Sequence, residues 1–315
     1  MIPKRFILPC MAFLLCASFA WADDYSTGKE FFNNGQYTQA FPYIEKAAKR
    51  GHTEAKTVLG IMYLYAYGVK KNNEMAINFL RSAAKKNDST AQLYLGIIHI
   101  EGRSTPKNDH MALHWFRKSA QLNNAYAQYY LGEMYWQGKG IRQDIKKAVF
   151  WYLKAAMQGE MRAQYYLGWM YFEGRGVEKD YEKAIEWYKK SAAQGDARAQ
   201  TNLAAMYREG IGVKRDSMEA AKWFQKAAAQ GQLAAQYNLG VMYETGEGIK
   251  QDYEKAAHWF EKSARQDNRF AQFKLAMLYE RGLGVPSDLK QARFWYERAS
   301  FLGHEEAKSK LDQLP

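Results

Sequence analysis

The chain has 315 residues, of which 47% are hydrophobic, and 45 basic against 33 acidic residues give a formal charge of +12. The surplus charge is spread along the chain without a run of like charges. That excludes a nucleic-acid-binding tract and leaves a solvated surface with weak attraction for acidic polymers or an acidic partner. Both cysteines, Cys10 and Cys16, lie near the N-terminus.

Residues 1–22 read as a secretory signal peptide. Lys4 and Arg5 supply a positive region, Phe6 to Phe19 an apolar stretch, and Ala20-Trp21-Ala22 a small-x-small cleavage site before Asp23. The apolar stretch is shorter than the roughly 20 residues of a membrane span. The mature chain is therefore expected to be periplasmic or secreted, with no stable membrane insertion after cleavage. Leu15 before Cys16 and Pro9 before Cys10 are not the small residues that lipidation needs. Cleavage removes both thiols, so the mature chain has no disulfide and no cysteine nucleophile and relies on packing alone.

Residues 23–51 read as an N-terminal capping helical hairpin that turns at Asn34-Gly35, with Pro42 predicting a second helix that is kinked or starts late. Residues 52–303 then hold seven units with a 36-residue period. Leu59-Gly60, Leu95-Gly96, Leu131-Gly132, Leu167-Gly168, Leu203-Ala204, Leu239-Gly240 and Leu275-Ala276 form one column. Trp115, Trp151, Trp187, Trp223, Trp259 and Trp295 form another, and its strict period beside an alanine column reads as core packing. Residues 304–315 supply a polar C-terminal capping helix. No linker or second domain interrupts the array. Self-similarity at this period means stacked supersecondary units, which offer a long surface to a partner.

Within the unit from Gly159 to Gly195, Ala163 to Phe172 has helical periodicity. Gly168 lacks the side chain that would hold a neighbouring helix away. Gly174 and Gly176 break the helix, and Asp180 is a good N-cap for the second one. That second helix, Tyr181 to Gln194, turns Ala184, Trp187, Tyr188 and Ala192 inward and stops at Gly195. Asn87, Asn123 and Asp267 stand where other units have this last glycine, and they are the residue types that best tolerate the left-handed conformation.

Ala127, Leu131-Gly132, Tyr135, Gly138-Lys139-Gly140-Ile141, Asp144, Ala148, Trp151-Tyr152 and Gly159 together resemble the Sel-1-like repeat, a branch of the tetratricopeptide-like superfamily. The resemblance spans residues 51–303. The first two units depart from it, with His99 in place of the tyrosine and Ser104-Thr105-Pro106 in place of the Gly-Val part of the loop. It implies an all-α fold, a right-handed α-solenoid of helix-turn-helix repeats. It also implies an exported bacterial adaptor, since members in cell envelopes bind envelope assembly factors, cell-wall enzymes and host proteins. A cysteine-rich subgroup is linked to penicillin binding and beta-lactam hydrolysis, and its diagnostic cysteine pairs are absent here.

In tetratricopeptide-like arrays the first helix of each unit lines the concave face, through positions two before, two after and five after the leucine. Here aromatic residues peak in the middle of that stripe. Tyr129, Trp136, Tyr165, Trp169 and Phe172 are therefore the candidate partner-binding residues, because aromatics supply large contact area at low entropic cost. Inter-repeat packing is the competing role, to which Tyr129, Tyr165 and Tyr237 lean. Trp136, Trp169 and Phe172 break the repeat's own consensus.

Nothing points to catalysis. His110 and His114 are four apart on a helix but lack a third ligand, so no metal and no cofactor are expected. His99 reads as a packed histidine. The paired loop glycines lack the lysine-serine/threonine ending of a phosphate loop. The expected partner is a protein of the envelope or of a host. Peptidoglycan, which aromatic faces stack on, is the second candidate, and a cell-wall or beta-lactam hydrolase the third.

Overall fold

The computed structural model describes residues 24–103 and 105–314. The leader read over residues 1–22, with its cysteines and cleavage site, lies outside the described residues. Those residues fold into two compact units, the first ending at Ala155 and the second beginning at Ala156. The first comprises α1 (24–33), α2 (Tyr37–Lys49), α3 (Thr53–Tyr65), α4 (Asn73–Ala84), α5 (Ser89–Glu101), α6 (Asp109–Gln121), α7 (Ala125–Gln137) and all but the last two residues of α8 (Ile145–Met157). The second holds α9 (Met161–Glu173), α10 (Tyr181–Ala193), α11 (Ala197–Glu209), α12 (Ser217–Ala229), α13 (Leu233–Thr245), α14 (Tyr253–Ala264), α15 (Arg269–Arg281), α16 (Leu289–Phe301) and α17 (Glu305–Gln313). Each unit is an all-α solenoid of helix pairs. No described helix is long and apolar enough to cross a membrane.

Local chemistry sets the helix ends. The Asp180 carboxylate accepts the Lys183 amide at 2.9 Å, which satisfies one of the orphan donors at the start of α10. Asn87, Asn123 and Asp267 take φ of 61°, 62° and 61°, the left-handed geometry expected of them. Pro42 neither delays nor divides α2, which starts at Tyr37 and carries the proline inside it.

Within a pair, the helices meet where a glycine faces an aromatic ring. A Cβ added at Gly168 would stand 2.8 Å from the Tyr188 ring, and one at Gly132 would stand 2.8 Å from Tyr152. Gly96 faces Phe116 and Gly240 faces Phe260 in the same way. Phe116, Tyr152, Tyr188, Phe224, Phe260 and Tyr296 are consequently among the largest fully buried side chains. This corrects the reading of the tryptophan column as core. Trp295 is buried, but Trp115, Trp151, Trp187, Trp223 and Trp259 are only half-buried. The lysine three residues on covers each of these rings. Lys190 lies 4.1 Å from the Trp187 centroid and Lys226 lies 4.2 Å from that of Trp223.

A buried glutamine column, not singled out in the sequence, ties first helices to the end of the helix before them within each unit. Gln92, Gln128, Gln164, Gln200, Gln236 and Gln272 each donate to the carbonyl eight residues earlier, at the end of the preceding second helix. Gln128 and Gln272 donate a second time, to the Asn123 and Asp267 side chains, and others accept from a glutamine 30 residues later. Gln194, Gln230 and Gln266 donate to Oε1 of Gln164, Gln200 and Gln236 at 2.8, 2.8 and 2.7 Å. Ser191 and Ser263 close the same seam, donating to the carbonyls of Met161 and Leu233. Where leucine replaces the donor, as Leu122 and Leu302 do, Oε1 of Gln92 and of Gln272 is buried without a partner.

Leu122→Gln is accordingly expected to supply the missing donor to Gln92. The gain should be about 0.5–1.5 kcal/mol, the net worth of an intramolecular hydrogen bond. A urea-unfolding midpoint that rises with unchanged helicity is the expected result.

Candidate partner-binding site

The five candidate residues divide between the two units. In the first, Tyr129 is 7% exposed, its ring centroid 5.4 Å from that of Tyr130 and 5.9 Å from that of Tyr152. Trp136 is half-buried, and its carbonyl accepts the Gln143 amide at 2.7 Å. Elsewhere on the same stripe Thr57, Ile61 and Leu64 are buried, so the first full pair offers no open apolar surface at these positions.

In the second unit, Tyr165, Trp169 and Phe172 of α9 come together around one cavity of about 320 Å³. Glu173, Tyr188 of α10, Asn202, Ala205 and Met206 of α11, and Ile211 in the following loop complete its lining. The Asn202 amide donates to the Tyr188 hydroxyl at 3.1 Å. Burial raises the Tyr188 and Tyr165 hydroxyls above the ordinary phenol range, so both are neutral donors and acceptors at physiological pH. The Arg198 guanidinium stacks 4.2 Å from the Tyr165 centroid and is itself held by Asp196 at 2.6 Å.

A recurrent contact explains why the cavity lies at this step. The residue five after the leucine reaches the residue 30 positions later on the next first helix. Arg208 donates to Asn238 at 2.7 Å, Lys274 pairs with Glu244 at 2.9 Å, and Lys310 pairs with Glu280 at 3.2 Å. At the first step of this unit the corresponding residues are Phe172 and Asn202, which make no such bridge, and Asn202 turns to Tyr188 instead. The small Ala205 leaves the remaining space, since its column holds Trp169, Val241 and Met277 in the neighbouring pairs.

Asn202, Tyr188 and Glu173 were not among the sequence candidates. The signal for Asn202 is a pairing of two columns 30 residues apart, which a search for one 36-residue period passes over. His99 is buried, 3.5 Å from the Thr105 hydroxyl, and burial lowers its pKa. His110 and His114 lie in a depression with Arg117 and Lys118. Among the described residues no group of three or more His, Cys, Asp or Glu side chains converges as metal ligands.

The Sel1 repeat model matches residues 89–124, 125–160, 162–196, 197–232, 233–268 and 269–304. The chain belongs to the Sel1 repeat family. Residues 28–93 match a second model, described as plant tetratrico peptide repeats, so the family's own model covers six of the seven units read from the sequence. Among solved structures, c5321, a protective antigen present in uropathogenic Escherichia coli strains displaying an SLR fold, is 33% identical. It covers 97% of this chain and 67% of its own, with a TM-score of 0.83. A Sel1 repeat protein from Oxalobacter formigenes is 34% identical, covers 94% of this chain and 87% of its own, and has a TM-score of 0.67. No curated protein matches. The Sel1 repeat fold is typically that of a protein–protein interaction scaffold, and the family is generally non-catalytic.

Two buried tyrosines of this Sel1 protein separate a charged from a neutral tether. Tyr296 donates to the Glu280 carboxylate at 2.6 Å, and Tyr188 bonds only the Asn202 amide. Tyr296→Phe should cost about 1.5–3 kcal/mol and Tyr188→Phe about 0.5–1.5 kcal/mol. Equal losses in chemical denaturation would contradict the assignment.

Proposed function

We propose that this chain is an exported, non-catalytic scaffold that binds a partner polypeptide and anchors it in the aromatic cavity of the second unit. The observation that carries the reading is the cavity itself. Trp169 and Phe172 both break the repeat's consensus, and both line the same opening beside Tyr165. A half-buried aromatic cluster with a few polar groups among its lining is the usual composition of a recognition pocket. Export is supported by the leader pattern over residues 1–22. The partner is an envelope or host protein, with the aromatic walls supplying affinity and Asn202 and Glu173 orientation.

Two variants test this in the full chain, tagged at its C-terminus and crosslinked in native envelopes. Trp169→Ala removes a wall. Phe172→Glu combined with Asn202→Lys recreates the Glu244–Lys274 pair and closes the opening. Each should reduce partner capture about tenfold or more, as loss of a hot-spot aromatic does, with circular dichroism unchanged. Capture at wild-type levels by both variants would move the site off this cavity.

A further inference from the structure

Four rings, Tyr165, Trp169, Phe172 and Tyr188, wall the cavity, and the exposed Glu173 carboxylate lines it with them. The equivalent glutamates of two other pairs are neutralised locally. Glu101 pairs with Arg103, and Glu209 pairs with Arg208 at 2.8 Å. Among the described residues no cation pairs with Glu173.

The backbone adds to the same sign. Phe172 and Glu173 end α9, Met206 lies in the last turn of α11, and Ile211 follows that helix, so two helix C-termini with their partial negative charge border the cavity. Burial is the main cause that raises the Tyr188 hydroxyl above the ordinary phenol range, with the Tyr165 and then the Glu173 charge adding smaller pushes in the same direction. The nearest arginine stacked on a wall residue, Arg198, is consumed by Asp196 through two hydrogen bonds and is not part of the lining. It shows that a guanidinium fits against Tyr165 on a face of this same unit.

Aromatic faces attract a cation through their quadrupole, and an adjacent carboxylate adds charge attraction. We propose that this cavity receives a cationic side chain, arginine or lysine, presented by the partner polypeptide. The inference rests on the polypeptide-binding reading above and specifies what enters the site. An apolar side chain would leave Glu173 unpaired beside it. An acidic one would be repelled by Glu173 and by both helix ends.

The test uses the full chain labelled with 5-fluorotryptophan, with the Trp169 resonance assigned by Trp169→Phe. N-acetyl-arginine amide is titrated against N-acetyl-citrulline amide, which keeps the shape and removes the charge. The arginine probe should shift the Trp169 resonance saturably with a Kd lower by about fivefold or more, and Glu173→Gln should abolish that difference. Equal binding of the two probes would overturn the proposal. So would a shift with N-acetylglucosamine and none with arginine, which would mark the cavity as a sugar site. If the arginine probe fails while partner capture still depends on Trp169, the polypeptide reading stands and the cationic occupant falls.

Discussion

The direct contact between a glycine or alanine on each first helix and a large apolar side chain on the second, an aromatic ring in all full pairs but the first, is the constraint on which the rest of this structure depends. With no Cβ at Gly132 or Gly168, the rings of Tyr152 and Tyr188 lie against the helix backbone. That contact fixes how close the two helices come and which face the second one turns inward. The tryptophan one residue earlier is then rotated by about 100°, which leaves it half-buried under a lysine in five pairs, Trp295 alone being buried. Filling such a contact typically costs 1–3 kcal/mol through overpacking, yet Ala204 and Ala276 occupy the same column beside Phe224 and Tyr296. The packing therefore tolerates one methyl group in two pairs of the second unit.

Once the pairs are locked, stacking is left to polar seams. Buried glutamines suit the role because each gives a second donor to a helix-end carbonyl that already accepts a turn amide, and unpaired buried amides are costly. The bridges 30 residues apart along the first helices are a second seam in the second unit. The one bridge omitted from that seam, at Phe172 and Asn202, coincides with the cavity.

Much of this was legible in the sequence, for identifiable reasons. The 36-residue period gave the helix pairs, and Asp180 and Asn87 gave their ends through local backbone chemistry. Period alone misplaced the tryptophans, because it reports a constraint on a position without saying whether that position is buried or stacked under a lysine. The glutamine column has the same period and was overlooked because polar residues are usually read as solvent-facing. Trp169 and Phe172 stood out as departures from consensus. Asn202 and Glu173 did not, since their importance comes from a contact skipped between neighbouring repeats and from an ion pair not made.

A partner polypeptide seated in the cavity of the second unit is the proposal on which the functional reading stands. The most direct measurement places a photocrosslinking benzoylphenylalanine at Phe172 in the full chain within native envelopes, and in a second protein at Phe294, an exposed ring on α16. The account predicts a discrete crosslinked polypeptide from position 172 and none from position 294. Crosslinking from position 294 with none from position 172 would contradict it.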